Sequence, residues 1–161
     1  MYGADISEVM IKLAESQEVD PANITYLVAD CSAPLAIDRQ FDVVSSTYLL
    51  QNAHSVEMLE KFVKTMYDLV KPGGKLIGLN ASMHLKPQEL KLHEKYGDFI
   101  RTEKGTLEEG DKITLAFKED PNGPFIDVII YYHKPETYEA IFAKVGFRDF
   151  KWIPFSLADD V

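Results

Sequence analysis

The sequence predicts an α/β fold, with a mostly parallel sheet, flanking helices and an inserted antiparallel hairpin. Phe41-Asp42-Val43-Val44-Ser45-Ser46 is a short apolar run, interrupted early by Asp42, that turns polar at its carboxyl end as strands covered on both faces do. From Ser55 the period becomes helical: Val56, Leu59, Val63, Met66 and Val70 fall on one stripe, widened by Phe62 and Leu69. Pro72, which has no amide hydrogen, stops that helix near Val70, and Gly73-Gly74 permit a tight reversal into the strand Leu76 to Asn80. A strand, a crossover helix and a second strand form a right-handed parallel unit, and such units bind ligands beyond the carboxyl ends of their strands. Ser45, Ser46 and Asn80 stand at those ends.

In chain order, Met1 to Asp5 reads as the tail of a strand leading into a helix capped by Ser7. Ile6, Met10, Leu13 and Ala14, with Val9 beside them, form its apolar stripe, and Pro21 confirms the stop. Ile24 to Ala29 is the next strand, ending at Asp30. Ser55 caps the central helix, whose outer face carries Glu57 with Lys61 and Glu60 with Lys64, the favourable order for ion pairs on a solvated face. Pro87 to Lys95 reads as a short helix. Lys112 to Phe117 alternates polar and apolar, and the turn-rich Asp120 to Pro124 joins it to Phe125 to His133 as a hairpin. Pro135 opens a helix reaching Ala143 or Lys144, Gly146 caps it, and Phe147 to Trp152 is expected as a last strand.

At 161 residues the chain is one domain's worth and long enough for a substantial core. Its 17 basic and 26 acidic residues leave a net charge of -9, a field that repels phosphate backbones, so a nucleic-acid partner is not expected. A small-molecule substrate fits better. No apolar run approaches the roughly 20 residues that span a bilayer, so no membrane partner is expected and a cytoplasmic location is. The single Cys31 excludes an internal disulfide, and with no paired Cys or His-x-x-x-His spacing no metal site is expected.

The Phe-Asp-Val-Val strand, the following Tyr48-Leu49-Leu50, and an amphipathic helix running into Leu-Val-Lys-Pro-Gly-Gly-Lys-Leu resemble the fourth and fifth strands of class I S-adenosyl-L-methionine-dependent methyltransferases. Gly3-Ala4-Asp5-Ile6-Ser7 before a helix is similar to that family's second strand, and Val28-Ala29-Asp30 to the end of its third. The resemblance implies a Rossmann-like fold and S-adenosyl-L-methionine as cofactor. Asp5 would accept hydrogen bonds from the two ribose hydroxyls, Ile6 would lie against the adenine, Asp30 would take its exocyclic amine with Cys31 beside it, and Ser46 and Thr47 would line the pocket. Charge-assisted bonds from an ionised carboxylate suit that role. Each aspartate, taken alone, is more often a helix or turn cap. A narrower resemblance, to small-molecule methyltransferases grouped with toxoflavin synthase, rests on Tyr131-Tyr132-x-x-Pro135-Glu136-Thr137-Tyr138-Glu139 and Gly146-Phe147-Arg148-Asp149.

The family's first strand with its Gly-x-Gly-x-Gly loop, and a clear seventh strand, have no counterpart in the sequence. The fold is therefore expected to be N-terminally truncated, with unpaired strand edges that favour a homo-oligomer. Residues 1–82 are expected to form the cofactor-binding half, 83–133 an inserted substrate cover, and 134–161 the late helix and strand of one domain. Methyl transfer is an in-line displacement that depends mainly on positioning, with a base needed where the acceptor is protonated. His54 and Tyr48 are the catalytic candidates, and His133 is a further candidate base near a strand end, more often a packed residue. Tyr131 and Tyr132 are candidates for an aromatic wall. The expected activity is methylation of a small-molecule acceptor at N or O; the alternative is a non-catalytic binding or interaction module on the same fold. A nicotinamide dehydrogenase shares the parallel sheet but leaves Lys71 to Gly74 and Asp30 unexplained.

Overall fold

The computed structural model describes residues 1–81, 99–101, 106–118, 120 and 122–153. The expected helix over Pro87 to Lys95 and the residues beyond Ile153 lie outside these. The order of elements is β1 (Tyr2–Asp5), α1 (Glu8–Gln17), β2 (Thr25–Val28), β3 (Phe41–Thr47), a 3₁₀ turn (Leu50–Asn52), α2 (Val56–Leu69), β4 (Val70–Leu79), β5 (Phe99–Arg101), β6 (Lys112–Phe117), β7 (Ile126–Tyr131) and α3 (Pro135–Val145). Hydrogen bonding among the described residues divides the strands into three ladders: β1 with β2, parallel; β3 with β4, parallel; and β5-β6-β7, antiparallel. Both parallel pairs are joined through a helix, and β6 and β7 form the expected hairpin. β5 was not legible in the sequence.

The central helix follows its stripe. Ser55 accepts a hydrogen bond from the Met58 amide, and Leu59, Phe62, Val63, Thr65 and Met66 are buried. Leu59, Phe62, Val63 and Met66, with Leu50, Ala53 and Tyr138, Ile141 and Phe142 of α3, make the main core, against which Val44 of β3 and Leu76 of β4 pack. The helix runs directly into β4, because Val70 already pairs with Phe41; the register then shifts so that Val43 meets Lys75. Lys71 to Gly74 thus form a bulge within β4, in place of a reversal before it. Gly73 takes a φ of 81°, and a Cβ on Gly74 would sit 2.8 Å from the Asp42 carbonyl oxygen, so both glycines are required there. Lys71 closes the bulge by bonding both Asp42 carboxylate oxygens at 3.0 Å. On the outer face of α2 the expected pairs rearrange: Lys64 reaches forward to Asp68, and Glu60 is bridged by Lys144 of α3 at 2.7 Å.

Two expectations are corrected. The stripe predicted for α1 faces outward: Ile6, Val9, Met10 and Leu13 are exposed, and Ile11 is the buried residue. A helix is about 10 Å across, whereas two paired strands lie only about 4.8 Å apart, so the β1-β2 ladder covers a single row of α1. Phe147 to Trp152 is not a strand. Asp149 adopts a φ of 58°, which breaks an extended path. The rings turn instead onto α3, with Phe150 centred 4.9 Å from Phe142 and Trp152 5.6 Å from Tyr138.

Candidate functional site

The carboxyl ends of β1 and β2 bring Asp5 and Asp30 to one edge, since Asp5 is in register with Val28 and its carbonyl accepts from the Ala29 amide at 2.9 Å. Both carboxylates also serve local turns. Asp5 Oδ1 accepts from the Ser7 amide at 2.7 Å, which leaves Oδ2 without a partner among the described residues. Asp30 is engaged at both oxygens, by the Ser32 amide at 2.7 Å and the Ser32 hydroxyl at 2.8 Å, and these bonds hold its carboxyl below the usual range. Ile6 is 70% exposed beside them. Cys31 is half-buried against the α2-α3 core, and burial, with the Asp30 and Asp5 charges, pushes its thiol up. It is a packing residue with little thiolate character.

At the end of β3, Ser46 is buried and Thr47 exposed, and Thr47 is in register with Leu79. Tyr48 follows at a φ of 54°, a left-handed conformation uncommon for a bulky residue and of the kind that clusters at functional turns. Its amide donates to the Leu79 carbonyl at 2.7 Å, and its own carbonyl accepts from Asn52 Nδ2 at 2.6 Å. The ring is half-exposed. Gln51, buried in the 3₁₀ turn, accepts the Ala81 amide at 2.9 Å and ties this turn to the end of β4. Asn80 Nδ2 donates to the Tyr138 hydroxyl at 3.3 Å, and burial keeps that phenol in its neutral form.

His54 is exposed and meets Tyr131 edge-on, with ring centroids 6.1 Å apart. Tyr132 packs against the core instead. His133 is fully buried. Its Nε2 donates to the Ala53 carbonyl at 2.8 Å, because a carbonyl oxygen only accepts, and its Nδ1 lies 2.8 Å from Glu109 Oε2. Glu109 also accepts from the Lys134 amide and the Thr137 hydroxyl. Burial raises the Glu109 carboxyl, but the bonds from Thr137, Lys134 and His133 outweigh it and leave it below its ordinary value. His133 is thus a bridge between three segments, with no ring nitrogen free for an acceptor.

Residues 1–78 match a family described as "Methyltransferase domain". Superposition on solved structures pairs the chain with an S-adenosylmethionine-dependent methyltransferase from Clostridium acetobutylicum ATCC 824 at a TM-score of 0.61 and 17% identity, over 89% of this chain and 62% of that one. The CcbJ methyltransferase from Streptomyces caelestis gives a TM-score of 0.62 at 12% identity, over 90% and 66%. The chain has the class I methyltransferase fold. In sequence it is 26% identical over 149 residues to the ubiquinone/menaquinone biosynthesis C-methyltransferase UbiE of Yersinia pestis (strain Pestoides F), covering 91% of this chain. It spans about half, 55%, of the length of that relative.

In a class I methyltransferase fold the strand ends are where chemistry is sought, and the sequence placed Asp5, Ile6, Asp30, Cys31, Ser46, Thr47 and Tyr48 there. Their side chains fall into two groups. Asp5 and Asp30 belong to the β1-β2 ladder, Ser46 to Tyr48 to the β3-β4 ladder, and no ladder hydrogen bond joins the two among the described residues. The halves meet through the Tyr2 and Phe41 rings, 5.5 Å apart, and a bond from the Thr65 hydroxyl to the Ala33 carbonyl at 3.3 Å. Gln51, Glu109 and the Tyr138 hydroxyl were missed. Tyr138 entered only as part of the Tyr131 to Glu139 motif, and nothing local announces a hydroxyl that reaches a residue 58 positions away.

Proposed function

We propose that this chain is an S-adenosyl-L-methionine-dependent methyltransferase domain acting on a small-molecule acceptor at N or O, within the toxoflavin synthase-like group. The observation that carries this is the match of residues 1–78 to the methyltransferase family together with the gathering of Asp5 and Asp30 at the carboxyl edge of a parallel pair. The residues fit the cofactor's chemistry. Asp5 Oδ2 is open to accept ribose hydroxyls, Ile6 offers an apolar surface to the adenine, and Asp30, with Cys31 beside it, keeps lone pairs for an exocyclic amine. Thr47 and Ser46 line the pocket on the β3 side. When bound, the cofactor supplies an electrophilic methyl group. The chain's own residues orient the acceptor, and the exposed His54 ring or the Tyr48 hydroxyl takes a proton where the acceptor atom carries one.

In this reading the edges of β1 and β3, which pair with no further strand among the described residues, receive one from a second copy, because unpaired parallel edges are templates for association. Sedimentation measured across a concentration series reports that directly.

One observation favours a second reading, a non-catalytic module: Ser32 engages both oxygens of Asp30, as a purely structural turn requires. Calorimetric titration with S-adenosylmethionine and S-adenosylhomocysteine separates the two. Binding that weakens about 10- to 100-fold in Asp5→Ala, the range for hydrogen bonds to a charged group, with an unchanged melting temperature, supports the methyltransferase reading. No binding by the native chain favours the module.

A further inference from the structure

His133 stands between two acceptors. Its ring is fully buried, with Nε2 2.8 Å from the Ala53 carbonyl oxygen and Nδ1 2.8 Å from Glu109 Oε2. A neutral imidazole has one N–H and one lone pair, whereas a carbonyl and an ionised carboxylate only accept. The neutral ring therefore leaves one of the two contacts as lone pair against lone pair, in a place water does not reach, and such unpaired burial is costly. Glu109 is ionised. Burial raises its carboxyl, yet the bonds from the Thr137 hydroxyl, the Lys134 amide and His133 hold it below the usual range, and the amino end of α3 favours an anion. Among the described residues His133 is the one side chain bonded to Glu109 that can carry a positive charge. Both contacts are satisfied together when both ring nitrogens carry hydrogen.

We propose that His133 and Glu109 form a proton-held latch, a buried imidazolium-carboxylate pair that fastens the Glu109 loop and the hairpin to the turn carrying His54 and opens when the ring gives up its second proton. A buried charge is tolerated where it is paired and fully hydrogen-bonded, and here each ring N–H has its own acceptor. The parts it joins lie against one another: the Gly110 amide donates to the Tyr132 carbonyl and the Tyr132 amide to the Asp111 carbonyl, each at 2.8 Å. A Cβ on Gly110 would lie 3.8 Å from the His54 carbonyl oxygen. The loop also holds Glu108 and Asp111, and Asp111 Oδ2 accepts the Glu108 amide. On the turn, His54 is directed onto Tyr131. Helix α3 opens with Lys134 and Glu136 and presents Tyr138 edge-on to the ring at 6.2 Å, its phenol kept neutral by burial. The neighbouring Tyr132 phenol is pushed up by burial and by the Glu109 and Glu136 charges. Among the described residues Glu109 alone bonds Nδ1. On opening, the Nδ1 proton passes to water by way of Glu109, whose side chain is partly exposed, and the neutral ring keeps its Nε2 hydrogen for Ala53. The Nδ1 lone pair then opposes the carboxylate, and the loop is released. The device is independent of whether the chain binds a cofactor.

Proton-nitrogen correlation NMR of the full chain labelled at histidine reads the ring directly, with His133→Gln identifying its signals. Both nitrogens should carry hydrogen at about pH 6, and only Nε2 by about pH 9, across the span in which an imidazole exchanges its proton. Over that span the exchange protection of the Gly110 and Tyr132 amides, corrected for the intrinsic rate, should fall about 10- to 100-fold with the midpoint of the ring, the value of a hydrogen bond to a charged group. Glu109→Gln discriminates, because its amide keeps a carbonyl for Lys134 and Thr137 and offers an N–H to Nδ1. In that variant His133 should carry one hydrogen, on Nε2, throughout, and protection should no longer follow pH. A native ring with a single hydrogen at about pH 6, or one that keeps both to about pH 9, would overturn the proposal. So would protection that stays constant while the ring titrates, or the native pH dependence surviving in Glu109→Gln. The ring and exchange measurements on the native chain decide the matter even where the variant does not fold.

Discussion

Replacing His133 by alanine tests how the antiparallel hairpin is fastened to the parallel half. His133 is fully buried, and its Nε2 is the partner of the Ala53 carbonyl, in a residue that is itself 0% exposed. Water cannot reach that oxygen, so removing the imidazole leaves an unsatisfied buried acceptor, a cost of about 1–3 kcal/mol. The ring also meets Tyr138 edge-on at 6.2 Å, a contact worth about 0.5–1.5 kcal/mol. Glu109 adds less, because it is partly exposed and keeps the Lys134 amide and the Thr137 hydroxyl. The sum is about 1.5–4.5 kcal/mol, which for a domain of this size lowers the melting temperature by about 3–18 °C. Thermal denaturation followed by circular dichroism measures it, and His133→Gln, which retains a donor for Ala53, should recover part of the loss. A His133→Ala chain that melts with the native protein would refute the reasoning, since the Ala53 carbonyl would then have found another partner.

The remaining expectations concern the core, one glycine and acid stability. Val63→Asp, on the buried face of α2, should cost several kcal/mol and unfold or severely destabilise the domain, whereas Lys64→Asp on the exposed face should be mild; equal melting temperatures would mean that α2 faces the other way. Gly146→Ala places a Cβ 2.8 Å from the Tyr67 hydroxyl at a φ of 121°, and the backbone strain alone should cost about 1–3 kcal/mol. Adding Tyr67→Ala should relieve the clash but not the strain, so a complete rescue in the double variant would contradict the assignment. The depressed carboxyl of Glu109 contributes stability that is full above the unfolded value of about 4.3 and is lost as pH falls through the lower folded value. Urea denaturation between pH 3 and 6 should therefore show a shallower acid decline for Glu109→Gln, and parallel curves for the two proteins would argue against it.

What the sequence determined by itself is local and periodic. The stripe of α2, the Ser55 and Ser7 caps, the Gly146 stop and the β6-β7 hairpin all follow from interactions within a few residues, and the structure keeps them. The polar endings of β1, β2 and β3 were visible in the same way, as changes of character at the end of an apolar run. Only the tertiary structure decided which way α1 turns, because the stripe records an apolar face but not the width of the sheet beneath it. Only tertiary packing drew Phe147 to Trp152 off an extended path, where an aromatic cluster on α3 outweighed a strand-like sequence. Glu109 and His133, Gln51 and Ala81, and Asn80 and Tyr138 are joined by side chains whose partners lie 24, 30 and 58 residues away. Such pairs leave no periodic trace, since what selects them is the geometry at which β4, α3 and the hairpin meet.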